Sequence, residues 1–234
     1  MKIKYTLILL ILFFLVSCSS SKYFEGTITY RFESNLYDEN NEVNLNYSEY
    51  SKREFGQYFV EYHKRGNYFR DYKGEDSIGL DFQLYIKKKN IKYTKYNYND
   101  TLYWENTTNL NGANNFKVLV KTRNDTLINN EKLNLLLTEY ELPYKGKVFK
   151  MNEEYYYNEK LKINPNDYIN YKKYFLYETF KKMESLPFLY IKKSASKSLS
   201  ETLIEITQFI DKKEKKIDLK SILNRIKNKP LKEK

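Results

Sequence analysis

Short stretches in which apolar and polar residues alternate, each closed by turn residues, recur along most of this chain and commit it to β-sheet. The opening one is the clearest. Phe24, Gly26, Ile28, Tyr30 and Phe32 share one face, while Glu25, Thr27, Thr29, Arg31 and Glu33 share the other. A period of two is the signature of a half-buried strand. Residues 57–64 and 67–73 flank Arg65-Gly66, a hairpin signal. Phe82, Leu84 and Ile86 alternate with Gln83, Tyr85 and Lys87, and residues 91–98 and 101–105 flank Asn99-Asp100, with Leu102 and Trp104 on one face. Phe116, Val118 and Val120 alternate before Asn124-Asp125 turns the chain, and Leu133, Leu135 and Leu137 share one side of a stretch over 132–140. Such spacing suits an all-β sandwich, a barrel or a single curved sheet.

Helical periods interrupt the pattern. Residues 35–46 read as a polar loop, and 48–55 as a helix that Gly56 stops. Asn164-Pro165-Asn166-Asp167 looks like a helix start, after which Tyr168, Tyr171, Phe175, Thr179 and Lys182 recur every three or four residues. Leu186-Pro187 ends that run. Strands over 188–192 and 199–210 follow, with Ile204, Ile206 and Ile210 on one face. There is no internal repeat and no Gly- or Pro-rich linker, so residues 18–211 read as one domain and 212–234 as a basic tail.

The first residues read as an address. Met1-Lys2-Ile3-Lys4 is a basic start, Leu7 to Val16 is an unbroken apolar run, and Ser17-Cys18 follows. This is the layout of a secretory signal over residues 1–17. The run has about half the roughly 20 apolar residues needed to cross a bilayer. Cys18 is the only cysteine, which excludes a disulfide framework and any Cys-based zinc cluster.

Charge is concentrated at the other end. The chain carries 41 Lys and Arg against 30 Asp and Glu, and residues 212–234 alone hold ten bases and three acids. With only six arginines in the chain, the residue type that reads guanine and phosphate bidentately is scarce, and no nucleic-acid partner is expected. Leu219, Ile222, Leu223 and Ile226 form one helical stripe. Such a stripe fits a membrane-surface helix or a short helix packed on the body. Packing is the expectation, with a solvated end from Lys227.

Catalytic chemistry is sparse. His63, the sole histidine, has no partner for a His-pair metal site and no nucleophile motif beside it; a solvent-facing strand position is expected. The pairs Glu75-Asp76 and Glu153-Glu154 read as solvated faces. Asp38, Asn40, Glu42 and Glu49 take calcium-loop spacing, but Val43 stands where the turn needs Gly, so a polar loop is expected. No enzyme activity, metal or cofactor is expected.

Leu15-Val16-Ser17-Cys18 resembles the bacterial lipobox. That resemblance implies acylation of Cys18, cleavage just before it, and a membrane partner reached through the acyl chains. With the opening strand Phe24-Glu25-Gly26-Thr27-Ile28-Thr29-Tyr30, the meander, the late helix and the closing strand pair, the chain resembles Bacteroidota-type lipoproteins of the LolA/LolB-like superfamily. It is also similar to families of the GLPGLI type: Leu186-Pro187-Phe188-Leu189 keeps L-P-x-L, with Ser185 and Phe188 where that family has glycines. The resemblance implies a mainly β (α+β) fold, a curved antiparallel half-barrel whose concave face helices cover. It further implies that the concavity shelters a lipid or lipoprotein acyl chain. The candidate lining is Ile28, Tyr30, Phe82, Leu84, Leu102, Trp104, Val118, Val120 and Phe175. No acidic cluster follows Cys18, so an outer-membrane position facing the periplasm is expected. Asp76-Ser77-Ile78, Asp100-Thr101-Leu102 and Asp125-Thr126-Leu127 resemble the O-glycosylation sequon of exported proteins of that phylum.

Overall fold

A computed structural model describes residues 23–124, 126–128, 130–196, 200–213 and 219–234. The signal over 1–17, Cys18, Asp125, the start of the strand expected from Leu199, and residues 214–218 of the tail lie outside the described residues.

The alternating segments fold as strands. A first meander runs β1 (Gly26–Tyr37), β2 (Tyr58–Lys64), β3 (Asn67–Tyr72), β4 (Leu80–Ile86), β5 (Ile91–Tyr96) and β6 (Leu102–Asn106). A second runs β7 (Asn114–Lys121), β8 (Thr126–Ile128), β9 (Glu131–Tyr144), β10 (Lys147–Tyr157), β11 (Leu189–Ser196) and β12 (Thr202–Lys213). Strand β12 returns to pair with β1, so the two halves fuse. With β13 (Leu231–Glu233) added parallel to β6, thirteen strands among the described residues make one curved, unclosed, mixed sheet. Its order is β13-β6-β5-β4-β3-β2-β1-β12-β11-β10-β9-β7, with β8 paired to β9.

Turn chemistry accounts for the register. Arg65 and Gly66 both take positive φ (49° and 79°) between β2 and β3, the twist that a two-residue hairpin requires. A Cβ on Gly66 would meet Cβ of Asp167 at 2.6 Å, so the position also needs its bare backbone. Lys145 and Gly146 repeat the same turn (48° and 75°) between β9 and β10. Alternation did not announce strand β10, because its inward phase is Met151, Glu153, Tyr155 and Tyr157, with a carboxylate in an otherwise apolar row.

Among the described residues three α-helices accompany the sheet. In α1 (Leu45–Phe55), Asn44 caps the N-terminus by accepting from Tyr47 N, and Gly56 closes it at φ 74°. The helix thus begins before the expected residue 48. The late helix differs more. It breaks into 3₁₀ turns at Pro165–Tyr168 and Lys173–Phe175, then α2 (Leu176–Met183). Lys172 N and Lys173 N both donate to Thr107 O, which holds the chain away from a continuous helix, and Tyr174 and Phe175 are left-handed (φ 52° and 59°). Non-glycine residues there cost about 1–2 kcal/mol each. In β12 the expected row of isoleucines also breaks. A bulge opposite Thr29 and Tyr30 pairs them with Asp211 and Phe209, and the intervening Ile210 is left half exposed.

The tail is built into the domain. Ile222 and Ile226 of α3 (Leu219–Ile226) pack on Phe69, Phe82, Leu84, Tyr93 and Leu102. Arg225 pairs with Asp81 at 2.8 Å and lies over the Phe82 ring. The end expected to fray from Lys227 is instead ordered as β13, because the unpaired edge of β6 accepts a further strand, though its side chains stay exposed to solvent as expected.

Candidate functional site

The apolar and charged phases of the strands go to opposite faces. On β3 and β4, Phe69, Phe82 and Leu84 face α3. The intervening residues Tyr68, Arg70, Tyr72, Gln83 and Tyr85 face the other way, toward the turns and α2. There a partly open chamber of about 250 Å³ lies between the sheet and residues of the 165–187 segment. Its wall combines Phe59, Phe180, Leu186 and six tyrosines with Glu61, His63, Arg70, Lys92, Lys173 and Glu153.

Two buried carboxylates anchor it. Glu61 of β2 is hydrogen-bonded by Arg70 Nε of β3 and by His63 Nε2. Burial alone would raise its pKa, but Arg70 and His63 outweigh burial and hold it at about 2. The Arg70 guanidinium also stacks 4.9 Å from the Phe59 ring centre. His63 Nδ1 sits 3.3 Å from the Tyr168 hydroxyl, and Tyr68 and Tyr171 hydroxyls meet at 3.1 Å. Across the chamber, Glu153 of β10 accepts from Tyr155 at 2.5 Å, Tyr190 at 2.8 Å and Tyr140 at 3.2 Å. Here burial raises the carboxyl pKa, and the hydroxyls and Lys192 only partly oppose it. Lys92 and Lys173 share Glu105 of β6. Burial lowers the Lys92 pKa against the pull of Glu105.

His63 and Glu153 are therefore corrections to the surface positions expected of them; both are buried, at 4% and 5% exposure. Each sits in the inward phase of its strand, where neighbouring polar groups replace water. Glu75 and Asp76 are exposed as expected. Asp38 Oδ1 accepts from the backbone of Asn40 and Glu42, which makes the 38–42 segment a polar turn. Among the described residues no group of three or more His, Cys, Asp or Glu could hold a metal.

Of the nine residues expected to line a hollow, the structure places only Tyr30 on the chamber wall. Ile28 is sealed in the main core. Phe82, Leu84 and Leu102, with Trp104 against them, are packed under α3 on the opposite face. Phe175 packs with Ala113, Tyr140 and Met151. Val118 and Val120 are each 38% exposed on edge strand β7, past the point where Phe116 packs on Phe175. Shared alternation had grouped these residues correctly by strand; it does not say which of two buried faces a row meets. The sequence did carry a signal for the chamber in rows such as Phe59-x-Glu61-x-His63 and Tyr68-x-Arg70-x-Tyr72, where rings and charges alternate together in one phase. Of the sequon positions, Ser77 is exposed, while Thr101 and Thr126 are half-buried.

No protein-family model matches the chain, and no curated protein and no solved structure matches it. No helix among the described residues is long and apolar enough to cross a membrane.

Proposed function

We propose that this chain is a lipid-anchored envelope protein of the LolA/LolB-like kind, tethered through Cys18 at the periplasmic face of the outer membrane. In this reading it holds an amphipathic ligand inside its curved sheet. The 165–187 segment acts as the helical cover of the concave face. The observation that carries the reading is one chamber whose wall offers both apolar rings and buried charges. The ligand's apolar body lies against Phe59, Phe180 and Leu186, and its polar end reaches Arg70 or Lys92. A cavity of about 150 Å³ takes one benzene ring, so 250 Å³ accepts a short chain or a ring system. A full acyl chain enters only if the cover moves, and the left-handed pair Tyr174-Phe175 is the natural hinge.

Native mass spectrometry of the mature protein taken from its own envelope tests this. A co-purifying amphipathic molecule that Phe180→Trp, which fills the chamber, displaces is the expected result. A clean apo mass together with no uptake of fluorescent lipid overturns it. That outcome would favour the second reading, an interaction lipoprotein with a closed core, for which the sealed packing of Ile28, Phe82, Leu84 and Leu102 speaks.

A further inference from the structure

The end of the sheet at which the chain enters β1 is ringed with positive charge. Phe24 N donates to Lys162 O at 2.7 Å, and Lys212 Nζ stands 5.9 Å from the Phe24 ring centre. Gly26 pairs with His63 and Thr27 with Lys213, so the ends of β2 and β12 share this rim and bring Lys64, Arg65 and Lys213 to it. An open cleft of about 450 Å³ lies on the same rim. Its wall holds Lys121, Arg123, Lys162, Lys181 and Lys182 against Glu159 and Glu184. Part of this charge is engaged: Arg65 pairs with Glu25 at 3.5 Å, Lys213 with Asp211 at 4.0 Å and Lys87 nearby with Asp167, and Lys121 Nζ donates to Lys182 O. The cations still outnumber the acids. The opposite rim, beyond the far end of β1, exposes Asp38, Glu39, Glu42 and Glu49 beside Lys52 and Arg53.

We propose that this basic rim seats the domain on the anionic lipid headgroups of the membrane that Cys18 enters. The proposal rests on the reading of Cys18 as acylated. Four residues separate Cys18 from Tyr23, and a fully extended chain of that length spans at most roughly 18 Å. A tether this short lets the near rim reach the headgroups, within the Debye length of roughly 8 Å over which the surface potential acts at physiological salt, while the far rim, a 12-residue strand away, stays outside it. Near an anionic leaflet each Lys or Arg strengthens binding roughly fivefold. The tether and the charge therefore select one orientation together, which neither would alone.

The test uses the chain from residue 18 with Cys18→Ser, so that no acyl chain contributes, and co-sedimentation with vesicles. One set is phosphatidylcholine alone and the other contains about one quarter phosphatidylglycerol. Binding to the anionic set only, released by about 0.5 M salt, is expected. Arg123→Glu, Lys162→Glu, Lys181→Glu and Lys182→Glu combined lower the partition coefficient at least about a hundredfold. The milder pair Lys181→Gln and Lys182→Gln, both at exposed positions, lowers it about 25-fold and guards against a folding defect. Lys52→Glu with Arg53→Glu on the far rim leaves it within about twofold. Equal binding to both vesicle sets, or equal loss in the far-rim variant, overturns the proposal. The tether reading is judged separately, by the mass of Cys18 in protein purified from membranes. An acylated protein without headgroup preference sinks only the rim proposal, and an unacylated one sinks the tether.

Discussion

The two halves of the sheet bury a carboxylate in opposite ways. In the first meander, Glu61 sits between Arg70 and His63 and is held ionised, with its pKa at about 2. In the second, Glu153 meets three tyrosine hydroxyls and no cation in hydrogen-bonding contact, because Lys192 pairs with Glu205 instead. Its pKa is raised. The two groups face one chamber, so the comparison isolates the effect of partner type. A cation compensates a buried charge by opposing charge, whereas hydroxyls compensate only by hydrogen bonding and leave much of the desolvation unopposed. One wall of the chamber is thus a fixed ion pair, and the other is a carboxyl that takes up its proton at higher pH.

The sharpest way to break the comparison is to neutralise each carboxylate in turn. Glu61→Gln leaves Arg70 without its counter-charge, and losing one partner of a buried pair costs about 3 kcal/mol. Glu153→Gln keeps an acceptor for the tyrosines and removes a charge that burial disfavours, so it costs about 1 kcal/mol or less. Urea unfolding at pH 7 checks both. Equal losses would mean that the two sites are not different in kind.

Much of this architecture was readable from alternation, since β1, the Arg65-Gly66 hairpin and the meander to β6 follow from period and turn residues. The chamber was not. A strand row such as Phe59, Glu61 and His63 breaks the rule that charge faces water, and only the partner strand, carrying Arg70, makes it sensible. That pairing is non-local information, as is the presence of α3 behind Phe82 and Leu84, which turns an apparent lining into closed core. Strand β10 escaped for the same reason: Glu153 looks like a surface residue until Tyr140 and Tyr190 arrive from β9 and β11.

The pH dependence separates the sites by sign. A carboxyl whose folded pKa lies below its unfolded value contributes stability that is complete above the unfolded value and is lost as pH falls toward the folded one. For Glu61 that window runs from about 4.5 down to about 2. About 3 kcal/mol of wild-type stability should disappear across it, and the Glu61→Gln variant should lack that step. Glu153 acts in reverse. Its folded pKa is raised, so the folded state keeps the proton longer, and stability falls as pH rises from the unfolded value through the folded one. Glu153→Gln should flatten that decline. Thermal melts between pH 2 and pH 8 check both limbs, and a Glu61→Gln variant that retains the acid step would show that other carboxylates produce it.

The smallest effect probes the hydroxyl cage itself. Tyr190 donates to Glu153 at 2.8 Å and stacks on Tyr155 with ring centres 4.8 Å apart. Tyr190→Phe keeps the stack and removes one donor, at a cost of about 1 kcal/mol. A hydrogen bond to the charged form favours that form, so losing one should push the Glu153 pKa further up. Tyr140→Phe, with the longer 3.2 Å contact, should do the same more weakly. On the opposite wall, the Tyr72 hydroxyl reaches Arg70 only at 3.4 Å, and Tyr72→Phe should leave the Glu61 midpoint nearly unmoved, because the cation carries that site. Carboxyl carbon-13 titrations of the three variants make the comparison. A Glu153 midpoint indifferent to Tyr190 would mean that burial alone sets it and that the tyrosines merely pack.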